Sequence, residues 1–252
     1  MNKDLTMGLN EINKRLTVNN QKLLYLILSG SHAWGLERPD SDYDLRGIYQ
    51  DPTTKILDLH RGKDTIDFTE GLYDVQLYEI GKFLTMLSNH NGNMVTLLRL
   101  PNLYNSPEIN WQELGAHFIT KKLRHYYRGY AESQRKRALS QRGGKALIYT
   151  YREMFSGLFL MKYGSMIFDF EALWEYAEQN GWYNDGLLYK CYVNTTMPIS
   201  DDEWTKFYGE WEELSNKLDV EADKSSLPDT YDGYELCNTI LQKLRKDEYI
   251  KQ

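Results

Sequence analysis

The chain has 252 residues, 41% hydrophobic and 26% charged, which is the composition of a globular protein with a sizeable core and either one large or two small domains. A net charge of −6 argues against a protein that coats nucleic acid through bulk charge, while leaving room for a local basic patch. No apolar run reaches the length of a membrane span, and the polar first twenty residues are unlike a secretory signal. Cys191 and Cys237 are isolated and lack metal-ligand spacing, so a reduced, cytoplasmic protein with no membrane partner is expected.

Residues 2–19 place Leu5, Leu9, Ile12 and Leu16 at steps of four, three and four, one face of an amphipathic helix that covers a sheet. The apolar run Leu23 to Leu28 reads as a fully buried strand. It ends in Ser29-Gly30-Ser31, small enough for a ligand to approach the backbone. A helical turn over His32 to Gly35 would point free N–H groups at that strand end, a setting suited to phosphate oxygens. The chain resumes as Ser41-Asp42-Tyr43-Asp44-Leu45. Residues two apart in a strand share a face, so Asp42 and Asp44 are expected side by side, with Tyr43 and Leu45 turned to the core. Adjacent carboxylates repel unless a cation lies between them, and a divalent metal is the natural filler. Arg46 falls on the same face; it could pair with Asp44 and hold it, or reach a substrate phosphate, and the first is favoured.

A buried strand ending in Gly30-Ser31, ten intervening residues, then Asp42-Tyr43-Asp44-Leu45 resembles the signature of the DNA polymerase β-like nucleotidyltransferase superfamily. The fuller string GSHAWG…SDYDLRG resembles its branch of bacterial and phage predicted nucleotidyltransferases, which includes proteins associated with RNA repair. The resemblance implies an α+β fold, with an N-terminal catalytic domain of small mixed or antiparallel sheet and helices, then an all-helical C-terminal domain. It implies an enzyme that uses Mg²⁺, two ions, to move a nucleotide from an NTP, ATP by preference, onto an acceptor hydroxyl. Gly30 and Ser31 would hold the phosphates, and Asp42 and Asp44 would be metal ligands.

Residues 48–58 read as a surface connection, and His60 and Arg61 have no partner visible in sequence. Residues 63–69 and 72–77 alternate around a Glu70-Gly71 turn, a hairpin. The resemblance implies a third acidic residue on a following strand, and Asp67 and Asp74 are both candidates. Asp74 is favoured as the third catalytic, metal-holding carboxylate, because it stands just before Tyr78-Glu79-Ile80-Gly81-Lys82-Phe83-Leu84, which is similar to a pattern of the branch.

Ile80, Phe83, Leu84 and Leu87 repeat at helical spacing, Asn89 to Asn93 breaks the helix, and Met94 to Leu100 forms a second one. Asn91-Gly92 departs from the Asn-Pro common in the branch. Pro101 to Pro107 is the expected domain boundary, dividing 1–105 from a helical domain, 106–252, that closes the cleft. Residues 121–145 hold nine Lys or Arg against one acid, Glu132, with Tyr126, Tyr127 and Tyr130 interleaved. A solvated helix face is the ordinary account of such a run; beside a triphosphate site it suits an RNA strand as partner, with a protein acceptor as the alternative. Lys145 and Arg152, seven apart, lie on one helix face and could both bind the nucleotide. Tyr149 stands where the branch tends to have His. Residues 154–168 read as the core of the helical domain, and Leu236, Ile240 and Leu244 as a closing helix.

Overall fold

The computed structural model describes residues 3–60, 62–141, 143–183 and 186–250, with side chains from Leu5 onward. Arg61 and Arg142 lie outside the described residues. The chain divides into two compact units, one of residues 1–118 and 231–252, the other of 119–230.

The first unit opens with α1 (Lys3–Val18), whose Ile12 and Leu16 are buried and whose Leu5 and Leu9 are partly so. This stripe packs on Leu23, Leu26, Leu45, Tyr49, Val75 and Leu77 of the sheet, as the periodicity of the helix predicts. Strand β1 (Lys22–Leu28) is apolar and almost wholly buried because both of its edges are paired. A single turn, α2 (Gly30–Ala33), leads toward β2 (Tyr43–Gln50), which returns antiparallel to β1. The expected surface connection over 48–58 is therefore shorter: Ile48, Tyr49 and Gln50 belong to β2 and Asp51 is buried, because Lys22 still pairs with Gln50. A short helix, α3 (Thr53–Leu57), follows.

The hairpin forms from β3 (Thr65–Glu70) and β4 (Tyr73–Glu79), with Gly71 at φ 59° in the turn. The other edge of β4 pairs parallel with β2. Glu79 ends the strand and caps α4 (Ile80–Ser88) by accepting from the Gly81 N–H. Asn91 caps α5 (Gly92–Arg99) in the same way, through the Asn93 N–H. Residues 101–107, expected as a domain boundary, instead carry β5 (Asn102–Asn105), an edge strand on β1, so the sheet claims them. The mixed five-stranded order is β3-β4-β2-β1-β5, and α6 (Trp111–His117) closes this part of the chain.

The second unit is helical, as expected, with α7 (Leu123–Gln141), α8 (Gly144–Tyr163), α9 (Phe170–Gln179), α10 (Leu187–Val193) and α11 (Asp201–Lys224). Helix α8 is its core element: Leu147, Met154, Phe155, Leu158, Leu160 and Met161 are buried among the other four helices. Ser200 and Glu203 make a capping box at the start of α11; the Lys190 ammonium on Glu203, and then the Ser200 hydrogen bonds, bring its carboxyl down to about 2.

The closing helix, α12 (Tyr234–Ile250), belongs to the first unit rather than to the helical one. It packs on α3 and α4, and Arg245 explains why. Its guanidinium pairs with the buried Glu79 carboxylate and donates to the Asp51 carbonyl at 2.9 Å. Both cysteines are free and buried, and burial pushes each thiol up to about 11. Among the described residues no helix is long and apolar enough to cross a membrane.

Candidate functional site

The parallel pairing of β2 and β4 sets Tyr43 against Tyr73, Asp44 against Asp74 and Arg46 against Gln76. Because alternate residues share a face, Asp44, Asp74, Arg46 and Gln76 lie together on the side of the sheet away from α1, while Leu45, Val75 and Leu77 pack beneath α1. Arg46 binds both acids through one nitrogen: Nη2 donates to Asp44 Oδ1 at 2.8 Å and to Asp74 Oδ2 at 2.7 Å. Its Nη1 donates to the carbonyls of Asp74 at 2.7 Å and Leu45 at 3.1 Å. The pairing role considered for Arg46 in sequence is the geometry found, extended to a second acid.

Asp44 also leans on the glycine-serine turn. The Ser29 N–H donates to the Asp44 carbonyl at 2.8 Å. A Cβ on Gly30, whose φ is 63°, would stand 1.8 Å from Asp44 Oδ2. The glycine thus makes room for a carboxylate of the protein itself, a use of the small residue that the sequence did not suggest. Burial raises the Asp44 carboxyl above its ordinary range; Arg46 opposes this, and the neighbouring charges of Asp74 and Asp42 add to it.

Asp42 is exposed and lies one residue before β2 begins, so it is not the strand neighbour expected for Asp44. Asp74, on the adjacent strand, has that position because parallel register places it there. Asp67 lies one strand further out, opposite Gln76, whose Nε2 donates to Asp67 Oδ1 at 2.8 Å; Tyr78 donates to the same amide's oxygen. Tyr43 is only half-buried: it stacks on His32 at 4.7 Å and on Tyr73 at 5.9 Å. Sequence reading missed this stack and the Tyr78–Gln76–Asp67 chain; the strand alternation that places Gln76 on the Asp74 face was the available signal.

Among the described residues no three His, Cys, Asp or Glu side chains form a ready metal cage. The donor chemistry nevertheless fits a hard divalent ion: Asp44 and Asp74 offer adjacent carboxylate oxygens, and burial leaves Asp44 short of compensating charge even with Arg46 present.

In the second unit the residues expected to bind nucleotide part company. Lys145 is exposed at the start of α8, whereas Arg152 is 4% exposed, pairs with Glu153 and faces the Tyr149 ring. Seven-residue spacing gives a shared direction, but α8 is enclosed from its second turn on, so Arg152 is a buried core cation rather than a free one. Much of the basic stretch is also spoken for. Lys121, Arg124 and Arg128 pair with Asp229, Asp223 and Asp219, and Arg135 and Lys136 with Glu132. Among the described residues Lys122, Arg137 and Lys145 make no ion pair.

A family model for the RNA repair pathway DNA polymerase beta family matches residues 1–184. The chain belongs to that family. The match covers the whole sheet, the glycine-serine turn and both paired aspartates, and runs on into the helical unit. The chain is also similar to an uncharacterized protein of Methanocaldococcus jannaschii, 28% identical over 223 residues, which is 82% of this chain and 87% of the relative. An uncharacterized protein of Bacillus subtilis is 31% identical over 84 residues, 33% of this chain and 32% of that protein. Family membership makes this a polymerase β-like protein of the RNA repair type.

Proposed function

We propose that the chain is a Mg²⁺-dependent nucleotidyltransferase that moves a nucleoside monophosphate from an NTP, with ATP the first choice, onto a hydroxyl at an RNA end. The observation that carries this reading is the placement of Asp44 and Asp74 side by side at the lip of the Gly30-Ser31 turn, within a family tied to RNA repair.

In this reading Asp44 and Asp74, with Asp42 close enough to affect Asp44, hold the metal. Bound Mg²⁺ would make the attacking hydroxyl more acidic and neutralise charge on the departing pyrophosphate. Asp74 also accepts the proton of the attacking hydroxyl. The Gly30 N–H and Ser31 hold the β- and γ-phosphate oxygens. Gly30 keeps the Asp44 carboxylate against the backbone, and Arg46 holds the two strands' acids in line. For the acceptor, the helical unit offers Tyr126 and Tyr130, stacked at 6.0 Å on α7, with Arg137 exposed on the same helix and Lys122 exposed just before it; ring faces and unpaired cations suit a single strand.

The test is incubation with NTPs labelled at the α-phosphate, Mg²⁺, and either total RNA or a protein lysate. Label in RNA supports the proposal, label in protein redirects it to AMP transfer onto a side chain, and NTP binding without label points to a non-catalytic nucleotide-binding regulator. Asp42→Ala and Asp44→Ala should each abolish labelling in folded protein; wild-type labelling by either would refute the roles assigned here.

A further inference from the structure

Two carboxylates on adjacent parallel strands need a positive charge between them. In this chain Arg46 supplies it from a specific position. One nitrogen, Nη2, reaches both Asp44 Oδ1 and Asp74 Oδ2, on the two carboxylates that would hold a divalent ion. The other nitrogen, Nη1, is held by two main-chain carbonyls, Asp74 and Leu45, which give the guanidinium a fixed seat independent of the carboxylates. Asp44 cannot relieve crowding by moving freely, since its second oxygen lies against Gly30.

We infer that Arg46 is a stand-in cation: it bridges Asp44 and Asp74, and a divalent ion held by these two carboxylates would have to compete with it for them. Arg46 is thus a positioning residue that keeps the carboxylates aligned before metal arrives, at the cost of competing with the metal afterwards. The inference rests on the proposed metal-holding role of Asp44 and Asp74. It adds that affinity for the ion is set by an internal competitor.

The test is Mn²⁺ binding, read by electron paramagnetic resonance and calorimetry on the full chain without nucleotide, for wild type, Arg46→Gln and Arg46→Lys, each first checked for folding by circular dichroism. Removing the competitor should tighten Mn²⁺ binding about tenfold or more, since even one charge-assisted hydrogen bond is worth that factor. Arg46→Lys keeps the charge but loses the fork, so its affinity should fall between the other two. Equal or weaker binding by folded Arg46→Gln overturns the inference. So does an Arg46→Lys affinity equal to wild type, because charge alone would then account for any gain. Should Arg46→Gln fail to fold, Arg46→Lys decides by the same comparison. Absence of Mn²⁺ binding in all three also overturns it. Because none of these readouts uses label transfer, the nucleotidyltransferase reading is judged separately by the labelling assay.

Discussion

Gly30 offers a sharp test of the site because its replacement disturbs one carboxylate and little else. Its φ of 63° lies where an L residue costs about 1–2 kcal/mol, so Gly30→Ala should lower Tm by about 2–8 °C. The larger effect is local. The new methyl would sit 1.8 Å from Asp44 Oδ2, against the 3.0 Å that real Cβ contacts respect, so the carboxylate must retreat by more than 1 Å. Displacing a reacting group by that much costs transfer about 100-fold. Gly71 provides the matched control: its φ is 59° and nothing lies within 4 Å of its missing Cβ, so Gly71→Ala carries the backbone penalty without the collision. The assay is label transfer from α-labelled NTP, with thermal melts on the same preparations. Gly30→Ala within twofold of wild type, or Gly71→Ala impaired as badly as Gly30→Ala, would refute the reasoning.

Three further outcomes follow from the geometry. Arg245→Ala leaves the buried Glu79 carboxylate without its partner and unpins α12, so urea unfolding should show a loss of about 3–5 kcal/mol; a loss below about 1 kcal/mol would mean that the pair does not anchor the helix. Cys191 and Cys237, both buried with thiols near 11, should resist a thiol reagent at pH 8 until guanidinium is added, and rapid labelling of native protein would contradict the packing. Asp44 titrates above its ordinary 3.8 in the fold, so the folded chain keeps a proton that the unfolded chain has released, and metal-free stability falls as pH rises from 3.8 through the raised value. Asp44→Asn removes that penalty and should be at least as stable as wild type at pH 7 in EDTA; lower stability at that pH would show that the Arg46 contact outweighs burial.

Local pattern in the chain was enough to specify much of this protein. The stripe of α1, the buried run of β1, the alternation of the hairpin and the i, i+3, i+4 spacing of α4 each depend on neighbours a few residues away, so they are legible in order. The glycine-serine turn followed by Asp42 and Asp44 was legible for the same reason, and the family match agrees with it. Parallel pairing of β2 with β4 has no such signature, because its partners lie thirty residues apart and nothing in either strand encodes which edge it will meet. The resemblance had already favoured Asp74 over Asp67 as the third carboxylate, but tertiary structure alone set it directly across from Asp44, left Asp42 outside the strand and put Asp67 one strand away. It likewise drew 102–105 into the sheet and returned α12 to the first unit through Arg245 and Glu79. Burial decided the rest: a seven-residue repeat gives Lys145 and Arg152 one direction, but only the packing of α8 determines that Arg152 is enclosed while Lys145 meets solvent.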